Sequence, residues 1–494
     1  MSVSFPRSIM WFRRDLRLDD NTALAEATRQ SGEVLPVFVF DSGILDALPL
    51  RDDRRVTFIH DSVRELREDL LRLGSDLVVL HGDPRVLLPE LAQRVDAQAV
   101  FTNRDYEPAA KRRDADVHSR LKAMGKALRD YRDQVVFEGT ELRTGGGEPY
   151  RVFTPWKKAW LRRLHGDAIE SPPPLAVQRM DKRALMGRDK LRDTGMAWDL
   201  DALGFTRATL SQPAGSEGAR RMLGDFLPRM SRYKDERDFP ALGATSGLST
   251  HLRFGTISVR TLMRAALENA SPGADTWLSE LIWREFYQMI LDQFPHVEHG
   301  AFRPEYDALH WPGGDEHFAA WCEGRTGYPL VDAAMRAFRA TGWMHNRLRM
   351  VVAMFLTKDL LVDWRRGERY FAERLVDFDL ASNNGGWQWS ASTGVDAAPY
   401  FRVFNPVLQS RRFDPDGAFI REHVPELRGF SDKHIHWPHD ADMFTRSAAR
   451  CRLGEDYPHP IVDHALQKEQ AIAMFKHATP RGEDAGAASN REDD

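Results

Sequence analysis

The sequence predicts an α/β domain with a doubly wound parallel sheet at the N-terminus, followed by an all-α domain. Three observations predict it. Residues 1 to 135 alternate short apolar runs with amphipathic stretches, the βαβ rhythm of a parallel sheet covered by helices on both faces. Residues 136 to 204 lose that rhythm, carry Gly145 to Gly147 and Pro172 to Pro174 among many charges, and read as a linker. From about 205 to 475 apolar residues recur at helical period, broken by Pro and Gly turns and without convincing strands.

Taken in order, the strands are SIMWF, then VLPVFVFD at 34 to 41, DLVVLHGD at 76 to 83 and AVFTN at 99 to 103, with helical patterns such as VTFIHDSVRELREDLLRL between them. In the helical part, SELIWREFY (279 to 287) spaces Glu280, Trp283 and Tyr287 at i, i+3 and i+7, so a carboxylate and an indole share one face. GWMHNRLRM (342 to 350) puts Asn346 and Met350 four apart with Arg349 on the adjacent row. Such a face is neither a core stripe nor a solvent stripe and fits a cavity wall. The chain from 476 to 494 is small, polar and charged and is expected to be disordered.

At 494 residues the chain exceeds what one core usually supports. Hydrophobic residues make up 42% and charged residues 29%, the balance of a soluble globular protein. Two cysteines, Cys322 and Cys451, stand far apart, which argues against a disulfide framework or a zinc site. No secretion signal and no long apolar run is present, so a cytoplasmic protein without a membrane partner is expected. A net charge of -4 still leaves 69 Lys and Arg for one basic face.

Seven of the thirteen tryptophans, Trp283, Trp311, Trp321, Trp343, Trp364, Trp387 and Trp389, fall between residues 283 and 389 of the helical part. For any one of them, aromatic packing is an adequate reason. As a set they fit electron hopping or stacking on a base or a flavin. Upstream, RDFPALGATSGLSTHLRFG (237 to 255) gathers Thr245, Ser246, Ser249 and two glycines before a helical pattern, where hydroxyls and backbone amides suit a pyrophosphate.

The run MWFRRDLRLDDNTAL (10 to 24), with GTISVRTL, LIWREFY, EGRTGYPLVDAAMR, TGWMHNRLRM, DWRRGERYF and NNGGWQWSASTGVDAAPYFRVFNP, resembles the photolyase and cryptochrome family, most of all the class I cyclobutane pyrimidine dimer photolyases of bacteria. The resemblance covers nearly the whole chain. It implies an N-terminal antenna domain (1 to 135), a linker (136 to 204) and a helical FAD-binding catalytic domain (205 to 475).

Position by position, the resemblance implies that Tyr233, Thr245, Ser246, Leu248 and Ser249 hold the FAD phosphates and ribityl chain. Arg349, Asp377 and Asp379 would surround the isoalloxazine, with Asn383 beside its N5. Glu280, Trp283, Asn346, Arg347, Met350 and Trp389 would line the pocket for a flipped-out dimer, and Arg237, Arg402, Arg411 and Arg412 would touch the DNA backbone. Trp387, Trp364 and Trp311 match an electron-transfer chain. The implied activity is light-dependent repair: photoexcited FADH⁻ passes an electron to the dimer, the cyclobutane ring opens and the electron returns. The implied partner is ultraviolet-damaged DNA, met by a monomer needing no protein partner, in the bacterial cytoplasm or at the nucleoid.

LASNNGGWQW (380 to 389) has its own expected geometry. Asn383 and Asn384 should stop the preceding helix, and Gly385 and Gly386 should allow a bend. In a helix beyond them, Trp387 and Trp389 would project about 200° apart, one toward a flavin and the other toward a substrate.

Two departures bear on the antenna. Ala109 and Ala110 stand where folate-binding members have an Asn-Glu pair, and Glu298 and His299 where a Cys-Lys pair is expected. Methenyltetrahydrofolate is therefore disfavoured, leaving a deazaflavin, another pigment or none. A cryptochrome is the alternative function, but it would typically lose Glu280, Trp283, Asn346, Met350 or Trp389, and all are present. A (6-4) photolyase would carry His in this pocket, and a dark oxidoreductase would need a GxGxxG after the first strand.

Overall fold

Five parallel strands form the sheet, in the order β3-β2-β1-β4-β5: β1 Phe5–Phe12, β2 Ser31–Asp41, β3 Val78–Gly82, β4 Ala99–Asn103 and β5 Ala127–Tyr131. The structure is a computed structural model and describes residues 4 to 166, 174 to 191 and 195 to 478. Strand β1 is central, paired from Phe5↔Ser31 to Phe12↔Phe38 with β2 and from Ser8↔Ala99 to Met10↔Phe101 with β4. Its side chains alternate between two apolar layers: Met10 and Phe12 enter one cluster, Ile9 and Trp11 the other. This burial on both faces is why the strands read as continuous apolar runs.

The chain winds outward through β2 and β3, then returns to the other side of β1 for β4 and β5. That reversal opens a crevice at the carboxyl ends of the strands, where Arg13 and Arg14 follow β1. The fifth strand, ALRDY, was invisible to the apolar-run criterion. It pairs on one side only, with β4, and Arg129 and Asp130 on it are exposed.

The stretch expected as a linker contains an ordered helix, Phe153–His165, with Phe153, Trp156 and Trp160 buried along one side. Beyond residue 205 the regular elements among the described residues are all helices, apart from one isolated bridge between Leu453 and Tyr457. The longest helix, Pro272–Gln293, starts at Ser271, whose hydroxyl accepts from the Ala274 amide at 3.2 Å, with Pro272 in its first turn. The last helix, His464–Ala478, carries residues 476 to 478 of the expected tail, and 479 to 494 lie outside the described residues.

Two compact units emerge. One takes in Met1–Arg237, Ala244–Pro295 and Glu373–Ser382; the other takes in Asp238–Gly243, His296–Ala372 and Asn383–Asp494.

The expectation for NNGG is overturned. A single helix, Leu380–Ala391, runs through Asn383, Asn384, Gly385 and Gly386 without a stop. The amides are engaged elsewhere. Asn383 Nδ2 donates to the carbonyl and the carboxylate of Glu368, both at 3.2 Å, while Asn384 Nδ2 donates to the Val297 carbonyl at 2.8 Å. Gln388 Nε2 donates to Asn384 Oδ1 at 3.0 Å and to Gly300 O at 3.0 Å, and its Oε1 accepts from the Phe302 amide at 2.8 Å. Side-chain amides held by tertiary partners no longer compete for the helix's own backbone, so context overrides local propensity.

Candidate functional site

In the first unit, the run from Tyr233 to Ser249 has the chemistry of an anion cradle. Tyr233 is buried edge-on against Phe226, ring centres 5.7 Å apart, and Arg237 lies over its ring at 5.6 Å. Gly247 has φ 66°, a left-handed conformation that strains any other residue, and a Cβ there would lie 2.8 Å from the flexible end of Met222. Among the described residues, the amides of Ala244, Thr245, Ser246, Gly247 and Leu248 donate to no protein acceptor, and the hydroxyls of Thr245 and Ser246 have no protein partner. Ser249 then opens the short helix Ser249–Phe254. Five amides and two hydroxyls in one run fit phosphate oxygens.

Asp377 and Asp379 are both buried. Asp379 Oδ2 pairs with Arg14 at 2.6 Å and with Arg253 at 3.6 Å, and Arg14 also reaches Asp105 at 3.1 Å and Glu107 at 3.0 Å. Burial opposes ionisation of Asp379, but Arg14, Arg253 and Arg284 outweigh it and hold the carboxyl well below the ordinary range. This is a fixed anion in a rigid ring of guanidinium groups.

On the Pro272–Gln293 helix, Glu280, Trp283 and Tyr287 share a half-buried face, as their spacing predicts. Arg237 Nη1 donates to Glu280 Oε1 at 2.5 Å. The Trp283 indole lies 5.5 Å from the Tyr287 ring and stacks on Phe153 with centres 3.6 Å apart and planes 10° apart. The arrangement offers an aromatic platform beside a carboxylate held by an arginine.

In the second unit, the helix Asn346–Met354 begins at His345, whose Nδ1 accepts from the Arg347 amide at 3.2 Å. Asn346 is exposed, and its Nδ2 lies 3.9 Å from Met350 Sδ. Arg347 pairs with Asp238 at 2.9 Å and covers the Phe413 ring at 4.3 Å. Arg349 Nε donates to the Met344 carbonyl at 2.8 Å. Arg402, Arg411 and Arg412 are exposed, the last two at the end of the helix Pro406–Phe413, and are accessible to a polyanion.

The two indoles of WQW differ as their 200° separation requires. Trp387 is buried, 5.1 Å from Phe371 and 6.0 Å from Trp321, while Trp389 is only half-buried. Trp364 is buried at the start of the helix Trp364–Arg374, one turn before Gly367, whose backbone meets the Trp387 ring. Trp311 is half-buried, 6.2 Å from Phe475.

Residues 8 to 176 match the family described as DNA photolyase, and residues 277 to 477 match the FAD binding domain of DNA photolyase. Over 492 residues the chain is 42% identical to the deoxyribodipyrimidine photo-lyase of Halobacterium salinarum, covering 95% of this chain and 99% of that one. The chain belongs to the DNA photolyase family. The Escherichia coli deoxyribodipyrimidine photo-lyase is 38% identical to this family member over 486 residues, 95% of this chain and 98% of that one. A bacterial class III photolyase from Agrobacterium tumefaciens superposes with a TM-score of 0.87 at 36% identity, covering 97% and 98% of the two chains. A Synechocystis cryptochrome superposes with a TM-score of 0.84 at 26% identity, covering 96% and 100%. The likeness thus takes in a photolyase of class III as well as deoxyribodipyrimidine photo-lyases.

This photolyase carries the family's FAD binding domain. Among its described residues no helix is long and apolar enough to cross a membrane, and no cluster of His, Cys, Asp and Glu could hold a metal ion. Sequence reasoning missed several groups that touch the expected site residues. Glu368 accepts from Asn383, and its carboxyl is raised by burial. Arg14 and Arg253 fix Asp379. Phe153 backs Trp283. For Phe153 a signal existed, since Phe153, Trp156 and Trp160 stand at i, i+3 and i+7, an aromatic stripe inside a stretch dismissed as linker.

Proposed function

We propose that this photolyase is a deoxyribodipyrimidine photo-lyase that repairs cyclobutane pyrimidine dimers in DNA under blue or near-ultraviolet light. The observation that carries the reading is end-to-end identity of 42% to a deoxyribodipyrimidine photo-lyase. We keep the three-part division at 135, 204 and 475 as a functional one, with antenna, linker and catalytic parts.

FAD in its reduced form, when bound, supplies the photoexcitable electron donor. The chain's own residues do the rest. The amides and hydroxyls of the 244 to 249 run, with Tyr233, receive the phosphates and ribityl chain. Arg349, Asp377 and Asp379 present charge to the ring system, and Asn383, oriented by Glu368, offers an amide that can donate or accept at N5. Trp283 and Trp389 stack on the extruded dimer, whose flipping costs less at a damaged site. Glu280 hydrogen-bonds the pyrimidine edge, Asn346, Arg347 and Met350 serve recognition of the dimer, and Arg237, Arg402, Arg411 and Arg412 hold phosphates without reading sequence. Trp311, Trp364 and Trp387 relay electrons inward.

For a second light-harvesting pigment, a deazaflavin, another pigment or none is proposed rather than a folate. Ala109 and Ala110 lie in the first turn of the helix Pro108–Ala123 and offer no polar group there. The protein is read as a cytoplasmic monomer acting on damaged DNA. The test is repair of a dimer-containing oligonucleotide by the purified, reduced protein in light and in darkness. Restored thymines in light alone are expected; binding and photochemistry without repair would point to the cryptochrome-type alternative.

A further inference from the structure

The helix Phe153–His165 lies in a stretch that carries no motif of the chemistry, yet from Phe153 to Trp160 it is fastened to the helix bearing Trp283. Its N-terminal residue, Phe153, stacks flat on Trp283 at 3.6 Å and meets Phe286 edge-on at 5.8 Å. One turn on, Trp156 contacts Phe286 at 6.0 Å. A further turn on, Trp160 Nε1 donates to Glu285 Oε1 at 2.7 Å, and Glu285 also accepts the amides of Val136 at 2.7 Å and Phe137 at 2.8 Å. On the flank, Lys157 Nζ donates to Ser279 Oγ at 2.5 Å.

The contrast within this set carries the inference. Trp156 and Trp160 are fully buried, whereas Trp283 remains half-buried although Phe153, Phe286 and Tyr287 all touch it. A partly exposed indole on a helix can rotate about χ1 and χ2, and a base stacks on it only in one orientation. A parallel ring 3.6 Å behind it, on a helix bolted to the same scaffold, fixes that orientation before any ligand arrives.

We propose that Phe153 is a positioning residue for dimer recognition: it holds the Trp283 indole in the plane on which a flipped pyrimidine dimer stacks. The proposal rests on the reading that Trp283 stacks on the dimer. Phe153 acts through Trp283 and touches no substrate.

The test measures dark binding by the FAD-loaded protein to an oligonucleotide with one thymine dimer and to its undamaged counterpart. Phe153→Leu keeps apolar volume but removes the flat ring, and Phe153→Tyr restores it. Loss of one aromatic stack corresponds to about three- to tenfold weaker dimer binding, with undamaged-DNA binding unchanged and recovery in Phe153→Tyr. Near-ultraviolet circular dichroism should lose the component that Trp283→Phe also removes. In a Trp283→Ala background, Phe153→Leu should cost nothing further. An equal cost in both backgrounds, or equal losses on the two DNAs, overturns the positioning role. Should Trp283→Ala itself leave dimer binding intact, the stacking reading beneath the proposal fails, and that result is distinct from intact binding in Phe153→Leu alone. If the leucine protein melts early, Phe153→Met, which fills the same space with a flexible chain, takes its place under the same criteria.

Discussion

Trp387 and Gly367 meet so closely that position 367 has room for no side chain. A Cβ there would lie 2.2 Å from Cη2 and 2.5 Å from Cζ3 of the indole, and 2.6 Å from Leu356 Cδ2. The glycine sits within the helix Trp364–Arg374, where alanine would ordinarily gain up to about 1 kcal/mol. Contact with the ring sets the sign instead.

Gly367→Ala is therefore expected to destabilise the protein by about 1–3 kcal/mol, the usual cost of overpacking a filled site, and to displace the Trp387 ring. Chemical denaturation measures the first effect. Slower light-driven reduction of the bound flavin, with repair by previously reduced protein retained, measures the second.

Trp387→Phe and Trp389→Ala should give opposite phenotypes. Phenylalanine is much harder to oxidise, so Trp387→Phe should abolish photoreduction while chemically reduced protein still repairs. Trp389→Ala should keep photoreduction and impair dimer binding and repair. Flash photolysis together with a repair assay separates the two; identical phenotypes would end the proposed division of labour.

For Glu280→Ala the expected outcome is lower repair per absorbed photon with DNA affinity nearly intact. The carboxylate acts on charge that develops in the dimer. Its partner Arg237, freed from a half-exposed pair, loses little by the change. Quantum yields measured with equal bound DNA decide it, and an unchanged yield would remove Glu280 from the chemistry.

Glu285 gives a pH signature. Burial raises its carboxyl to about 7, against the pull of its three N–H donors. The folded state thus binds a proton more tightly than the unfolded chain, so stability from this group is full below about pH 4.5 and is lost as pH rises toward 7. The loss is about 3 kcal/mol in order of magnitude. Relative to Glu285→Gln, which does not titrate, the wild type should lose unfolding free energy between pH 4.5 and 7. A pH-independent difference between the two proteins would contradict this.

The sheet and the helical half were legible because their signals are local. Strands β1 to β4 announce themselves by burial on both faces, and Glu280, Trp283 and Tyr287 share a face by spacing alone. Strand β5 was not legible, since an edge strand with Arg129 and Asp130 exposed carries no apolar run. The NNGG reading failed for a different reason. Asn and Gly disfavour helix in isolation, and only the partners of Asn383, Asn384 and Gln388, which lie between 15 and 91 residues away apart from the bond between the last two, reverse the preference.

What the sequence determined by itself is therefore whatever depends on periodicity and on residue type at fixed spacing: the two textures of the chain, the aromatic and polar faces of single helices, and the motifs that carry the family resemblance. What only the tertiary structure decided is how those faces are held. Gly367 against Trp387, Phe153 behind Trp283, and the guanidinium ring around Asp379 each join residues far apart in the chain. Such contacts are fixed by close packing and by the electrostatics of burial, and neither leaves a periodic trace along the sequence.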